Sequence, residues 1–233
     1  MVLSKQIGNL AFFTKHMMTH NLFRRPKLTL ACLLLSTASA VAQLGTLPKA
    51  VPATATPAPA VPSAADSVAH KLDQAVIAST NGDKTAAVTG LNEGVAAAEA
   101  QAAISKGDFK EKLMSQTGAL KQLIPGVASG AVSGNMLAKA VSLVKMALGA
   151  NQISSLLGGG GSLLSSAGAL TGGLNLLKGG LPSLGGQAAS TGGSLISTAL
   201  SGVSKLGGLG GAAAEPAVKQ QLGGVLNFAK GIL

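Results

Sequence analysis

Across residues 146–214 the only formal charges are Lys178 and Lys205, and the stretch is built almost entirely from Leu, Gly, Ser and Ala. Leucine supplies burial at about 25 cal/mol per Å² of apolar area removed from water. Glycine lets backbones come close, but inside a helix it costs about 1 kcal/mol relative to alanine. A segment combining the two is floppy and adhesive alone, so it has to be packed against something. The cover is either the rest of this chain or an external partner or lipid surface.

Composition narrows the fold. A chain of 233 residues allows one or two domains and is long enough for a core. Hydrophobic residues make up 47%, yet aromatics make up 2%, with no Trp or Tyr. The core must then be Leu, Val, Ile and Ala, which favours close-packed helices over a sandwich of aromatic and β-branched strands. Charged residues, at 11%, fall well below the usual quarter or so. So weakly solvated a surface points to a partner, an oligomer or a membrane.

The net charge of +10 is concentrated at one end. Lys5, Lys15, Arg24, Arg25 and Lys27 precede the first long apolar run; without them thirteen Lys face eight acids, about +5, and no Arg remains. Arg is the usual reader of guanine and the usual fork for phosphate, and no aromatic is interleaved with the basic residues to stack on bases. Nucleic acid is therefore not an expected partner.

The N-terminus reads as an export signal over 1–42. Arg24, Arg25 and Lys27 form a basic region, 28–35 a short apolar core, and cleavage patterns of small residues end at Ala40 and Ala42. The apolar run is too short to span a bilayer, which needs about 20 residues. A start at Met17 or Met18 would give a signal of ordinary length, so the segment before Met17 has the look of a mis-assigned start. Cys32 lies within the apolar core and would leave with the signal, so the exported chain would hold no thiol. Segment 43–62, with Pro48, Pro52, Pro57, Pro59 and Pro62, reads as a Pro/Ala-rich tether.

Helical punctuation then becomes regular. Ser63 with Asp66 resembles a capping box, followed by Ala65, Val68, Leu72 and Ala75 on one face, with a stop at Asn81-Gly82. Asp83 caps a second helix with Leu91, Val95, Ala98 and Ala102 in line, ending at Gly107. Asp108 and Glu111 form another box for a third helix, lined by Phe109, Leu113, Leu120 and Ile124, that stops at Pro125. A fourth runs from Asn135 to Gly149 with Leu137, Val141, Val144 and Leu148 inward and Lys139, Ser142 and Lys145 toward water. Ser162 caps a fifth, with Leu163, Ala167, Leu170, Leu174 and Leu177 in line, closed by Gly179-Gly180. Ser194 opens a sixth, and Pro216 sits in the first turn of the last, lined by Val218, Leu222, Val225 and Ala229.

Two glycine series are candidates for close helix packing. Gly126, Gly130 and Gly134 form a GxxxGxxxG run, suited to helices meeting backbone to backbone. Three glycines also cost a helix about 3 kcal/mol, so a connector after Pro125 is the favoured reading of that run. In the fifth helix Gly168 and Gly172 lie with Ser165 on a small-residue face beside the leucine face, predicting one greasy contact and one close one.

Features that resemble chemistry dissolve on inspection. His16 and His20 stand four apart, a metal-ligand spacing, but lie upstream of the export core. His70 is alone on a helix beside Lys71 and Asp73. The glycines at 158–161 lack the Lys-Ser/Thr of a phosphate loop. The acids are scattered, with no carboxylate pair for acid–base work. The expectation is an exported all-α protein of about six or seven short amphipathic helices, with an amphipathic region at 63–149 on which a Gly/Leu-rich region at 150–233 packs. It is expected to be no enzyme, to need no metal or other cofactor, and to act as a structural or interaction protein of the envelope, periplasm or exterior. Its expected partners are a copy of itself or an envelope protein. The alternatives are association with a lipid surface through the C-terminal half, and carriage of small apolar ligands between helices.

Overall fold

Helix caps set where most elements begin. The computed structural model describes residues 63–206 and 211–233; the segments read as an export signal, with Ala40 and Ala42, and as a Pro/Ala-rich tether lie outside them. Of the described residues 87% are helical, in seven α-helices with no strand. They are α1 (Ala64–Thr80), α2 (Lys84–Ile104), α3 (Asp108–Ser129), α4 (Gly134–Gly158), α5 (Ala167–Gly180), α6 (Gly186–Leu206) and α7 (Glu215–Ile232). Single 3₁₀ turns precede α6 and α7. The all-α bundle expected from stripes and caps is what forms.

At α1 the Ser63 hydroxyl accepts from the Asp66 amide at 3.1 Å, and the Asp66 carboxylate accepts from the Ser63 amide at 3.0 Å, a complete capping box. Asp83 caps α2 through the Ala86 amide at 2.9 Å. Elsewhere the punctuation shifts. Gly107, with φ of +77°, precedes α3, so Asp108 lies in the first turn rather than at the cap. There its charge still faces the positive end of the helix dipole. Ser133, not Asn135, caps α4 through the Met136 amide. Helix α3 runs past Pro125 to Ser129, the proline leaving the Lys121 carbonyl without its intrahelical donor. Helix α5 starts at Ala167 rather than at Ser162, and α6 starts at Gly186 rather than at Ser194.

The largest difference is α4, which continues through Gly149 to Gly158. That extra length gives the architecture. Helices α1, α2, α3 and α4 pack in a closed ring, and α4, α5, α6 and α7 close a second, so α4 is shared by two four-helix bundles. Paired residues show antiparallel neighbours: Leu72 meets Gly94 across α1 and α2, Met146 meets Gly180 across α4 and α5, and Gly192 meets Phe228 across α6 and α7. Each bundle has its own core. Leu137, Val141, Val144 and Leu148 of α4 join Leu72, Leu91, Leu113 and Leu120 in the first. Met146, Ala150 and Ile153 join Leu170, Leu174, Leu177, Ile196 and Leu222 in the second, as does Phe109 from α3. One helix serving two cores must be apolar nearly all round. This is why α4, at 25 residues, is long and apolar enough to cross a membrane while 56% of its most apolar window is buried in protein. The face expected to meet water is partly covered too. Ser142 is buried, and the Lys145 side chain is only 12% exposed.

Candidate functional site

The glycines that bring backbones together are not those at the spacings that stand out in the sequence. A Cβ placed on Gly149 would lie 2.5 Å from the Gly173 carbonyl oxygen and 3.1 Å from Leu176 Cβ. On Gly173 it would meet the Gly149 carbonyl at 3.1 Å and Ile153 Cγ1 at 2.9 Å, and on Gly180 the Ser142 carbonyl at 2.8 Å. These three positions form the close seam between α4 and α5. Gly168, in contrast, has open space where its Cβ would be, and at Gly172 a Cβ would touch only Asp66 and Gln152 side chains at ordinary distances of 3.6 and 3.8 Å. The close contact therefore falls one residue along, on the second member of the pairs Gly172-Gly173 and Gly179-Gly180. One residue is a turn of about 100° on a helix. It moves the glycine from the face of Ser165 to that of Leu170 and Leu177. The signal was present in the sequence: a glycine on the leucine side is the one that meets a neighbour.

Gly126, Gly130 and Gly134 end one helix and begin another. A Cβ on Gly126 would strike Val132 Cγ2 at 2.5 Å, across the turn itself. Gly130 takes φ of +82° as the left-handed cap of α3, and its amide donates to the Gly126 and Val127 carbonyls. Gly134 is the first residue of α4, where a Cβ would come 3.1 Å from Thr80 Oγ1. Lys84 Nζ reaches the Ser129 carbonyl at 3.1 Å, placing a cation at the negative end of α3.

Most of the acids are spent on architecture. Lys145 grips both carboxylate oxygens of Asp73 at 2.8 and 2.9 Å and ties α4 to α1. Lys71 pairs with Glu93 between α1 and α2, Lys121 with Glu99 between α3 and α2 at 3.0 Å, and Lys230 with Asp108 between α7 and α3 at 2.6 Å. Lys219 pairs with Glu215 within α7. With Asp66 and Asp83 in caps, Glu111 is the only acid of the described residues engaged in neither role. Hydrogen bonding to Lys230 and its charge hold the Asp108 carboxyl below the usual carboxylate range. Lys219 does the same for Glu215, with help from the Leu163 amide. Ion pairs at a surface add little to stability, so the main effect of these is on which helices meet and in what register.

Neutral side chains form much of the remaining exterior. Ser190, Ser194, Ser197, Ser201 and Ser204 run along the exposed side of α6. Several hydroxyls there donate back into their own helix, as Ser201 does to the Ser197 carbonyl at 3.0 Å. His70 is exposed on α1. Among the described residues no group of three or more His, Cys, Asp or Glu is placed to hold a metal ion. Surface grooves lie beside Ile104, Lys106, Ser154 and Gly158, about 540 Å³, and beside Ala103, Lys110, Met114 and Gly118, about 450 Å³. One buried polar link crosses the first bundle, where Asn151 Nδ2 donates to Ser105 Oγ at 2.6 Å. No protein-family model, no curated protein and no solved structure matches the chain.

Proposed function

We propose that this is an exported, non-enzymatic structural or interaction protein of the cell envelope that associates with copies of itself. The observation that carries the reading is the cover over the low-charge half. Leu163, Leu170, Leu174 and Leu177 are buried to 1% exposure or less, against helices of the same chain. A lipid-bound half would keep such leucines for the membrane, and here they are already used. The acids support the same reading, because carboxylates committed to caps and ion pairs are not poised for proton transfer. Self-association is supported by the serine-lined exterior of α6, on which Lys205 is the one charge. A surface with so little charge meets a copy of itself with little like-charge repulsion, and symmetric self-contact is the commonest route to oligomers.

Fractionation of expressing cells, followed by sedimentation of the recovered protein, tests the proposal. The expected result is a soluble exported protein that sediments above the monomer mass. Recovery from the membrane only with detergent would overturn the reading in favour of the lipid one. A strict monomer at every concentration would remove self-association.

A further inference from the structure

We infer that α6 and α7 open together as a hinged hairpin from a body, α1 to α5, that stays folded, so that the apolar surface of the second bundle is exposed conditionally. Four independent observations converge on this unit.

The first is how the parts are fastened. Helix α5 is held to α4 by backbone approach at Gly149, Gly173 and Gly180, where carbonyl oxygens line the seam. The tight approaches of the hairpin are largely internal: Gly192 faces Phe228, and Gly202 faces Val218 and Gln221. Toward the body Gly192 also meets the end of the Leu181 side chain, which can rotate away.

The second is the hinge. Gly185, immediately before α6, and Gly186, its first residue, stand in succession at φ of +69° and +56°. Two adjacent residues without Cβ allow large backbone rotation at that joint.

The third is intrinsic helix stability. Gly193, Gly223, Gly224 and Gly231 lie within α6 and α7 with open space where a Cβ would be. They weaken the helices without enabling a contact in this chain. In α1 to α5 the glycines Gly90, Gly94, Gly149, Gly173 and Gly180 each face a neighbour, and Gly118 and, at the start of α5, Gly168 resemble the hairpin set. Side chains cap α1, α2 and α4, α3 and α5 lack such a cap, and α7 follows Ala214, which offers none.

The fourth is the nature of the polar ties. Lys230 pairs with Asp108, and Gln116 Nε2 donates to the Leu233 carbonyl. These lie at or near the surface, where water replaces them readily. Local opening is expected where apolar fastening is least and the backbone bonds are weakest.

Native-state hydrogen exchange of the exported chain, read by mass spectrometry, tests the hairpin. Peptides from α6 and α7 should exchange at a common rate at least about tenfold faster than those from α1 and α2. Gly193→Ala and Gly224→Ala, one in each helix, should each slow both α6 and α7 by about fivefold and leave α1 to α3 unchanged. Gly118→Ala should leave α6 and α7 unchanged. Equal protection in all helices would overturn the proposal, as would slowing by Gly224→Ala that spreads to α1 to α3. So would slowing confined to α7, because the two helices would then not move as one.

Discussion

Replacing Gly149 with alanine separates helix propensity from helix packing. An alanine at the middle of α4 gains about 1 kcal/mol of propensity over glycine. Its methyl group would lie 2.5 Å from the Gly173 carbonyl oxygen and 3.1 Å from Leu176 Cβ and Leu177 Cγ. The oxygen belongs to the α5 backbone and has no rotamer by which to move aside. To restore ordinary contact the two helices must part by roughly 1 Å, and a gap of that size forfeits a quarter to a half of the dispersion well for each atom pair along the seam. Overpacking of a tight core typically costs about 1–3 kcal/mol, and a backbone obstacle belongs toward the upper end. The expected net effect of Gly149→Ala is therefore destabilisation by about 1–2 kcal/mol. Gly118→Ala supplies the reference, because it lies within α3 with nothing near its Cβ position and should stabilise by up to about 1 kcal/mol. Urea unfolding followed by circular dichroism measures both, with the midpoint compared at constant slope. If Gly149→Ala matched or exceeded Gly118→Ala in stability, α4 and α5 would not meet through their backbones.

Leu174→Ala should cost about 2–5 kcal/mol in the same urea assay, since Leu174 is fully buried in the second core. Ser63→Ala should cost about 1 kcal/mol by removing the hydroxyl half of the α1 capping box, with fraying visible as faster amide exchange in the first turn. Asp108 has its carboxyl held below its ordinary value near 3.8 by Lys230. Its pairing therefore stabilises the fold above that ordinary value and is lost as pH falls through the lower folded value. Asp108→Asn should accordingly be less stable than the parent at neutral pH, with the difference closing in acid; a difference independent of pH would exclude the ion pair as its cause. Mass spectrometry of the exported protein should find an N-terminus at Val41 or Gln43, and an intact Cys32 would refute cleavage after Ala40 or Ala42.

The sequence by itself determined where apolar faces lie along each helix and how α1 and α2 begin, because stripes at spacing of three and four and caps at spacing of three are local chemistry. Ser63, Asp83, Leu72, Leu91, Leu170 and Leu222 are legible for that reason. Tertiary structure decided what glycine does. At Gly149 glycine resembles a stop signal, since a lone helix gains nothing there to offset its propensity cost. Yet α4 runs on, because the absent side chain admits the α5 backbone and the contact outweighs the cost. The same holds within the pair Gly172-Gly173: both are equal in composition, and only the position of α4 makes Gly173 the contact and leaves Gly172 at the margin. Sharing of α4 by two cores was not legible either, because a helix apolar nearly all round reads equally as buried or as lipid-facing until the neighbours that cover it are in place.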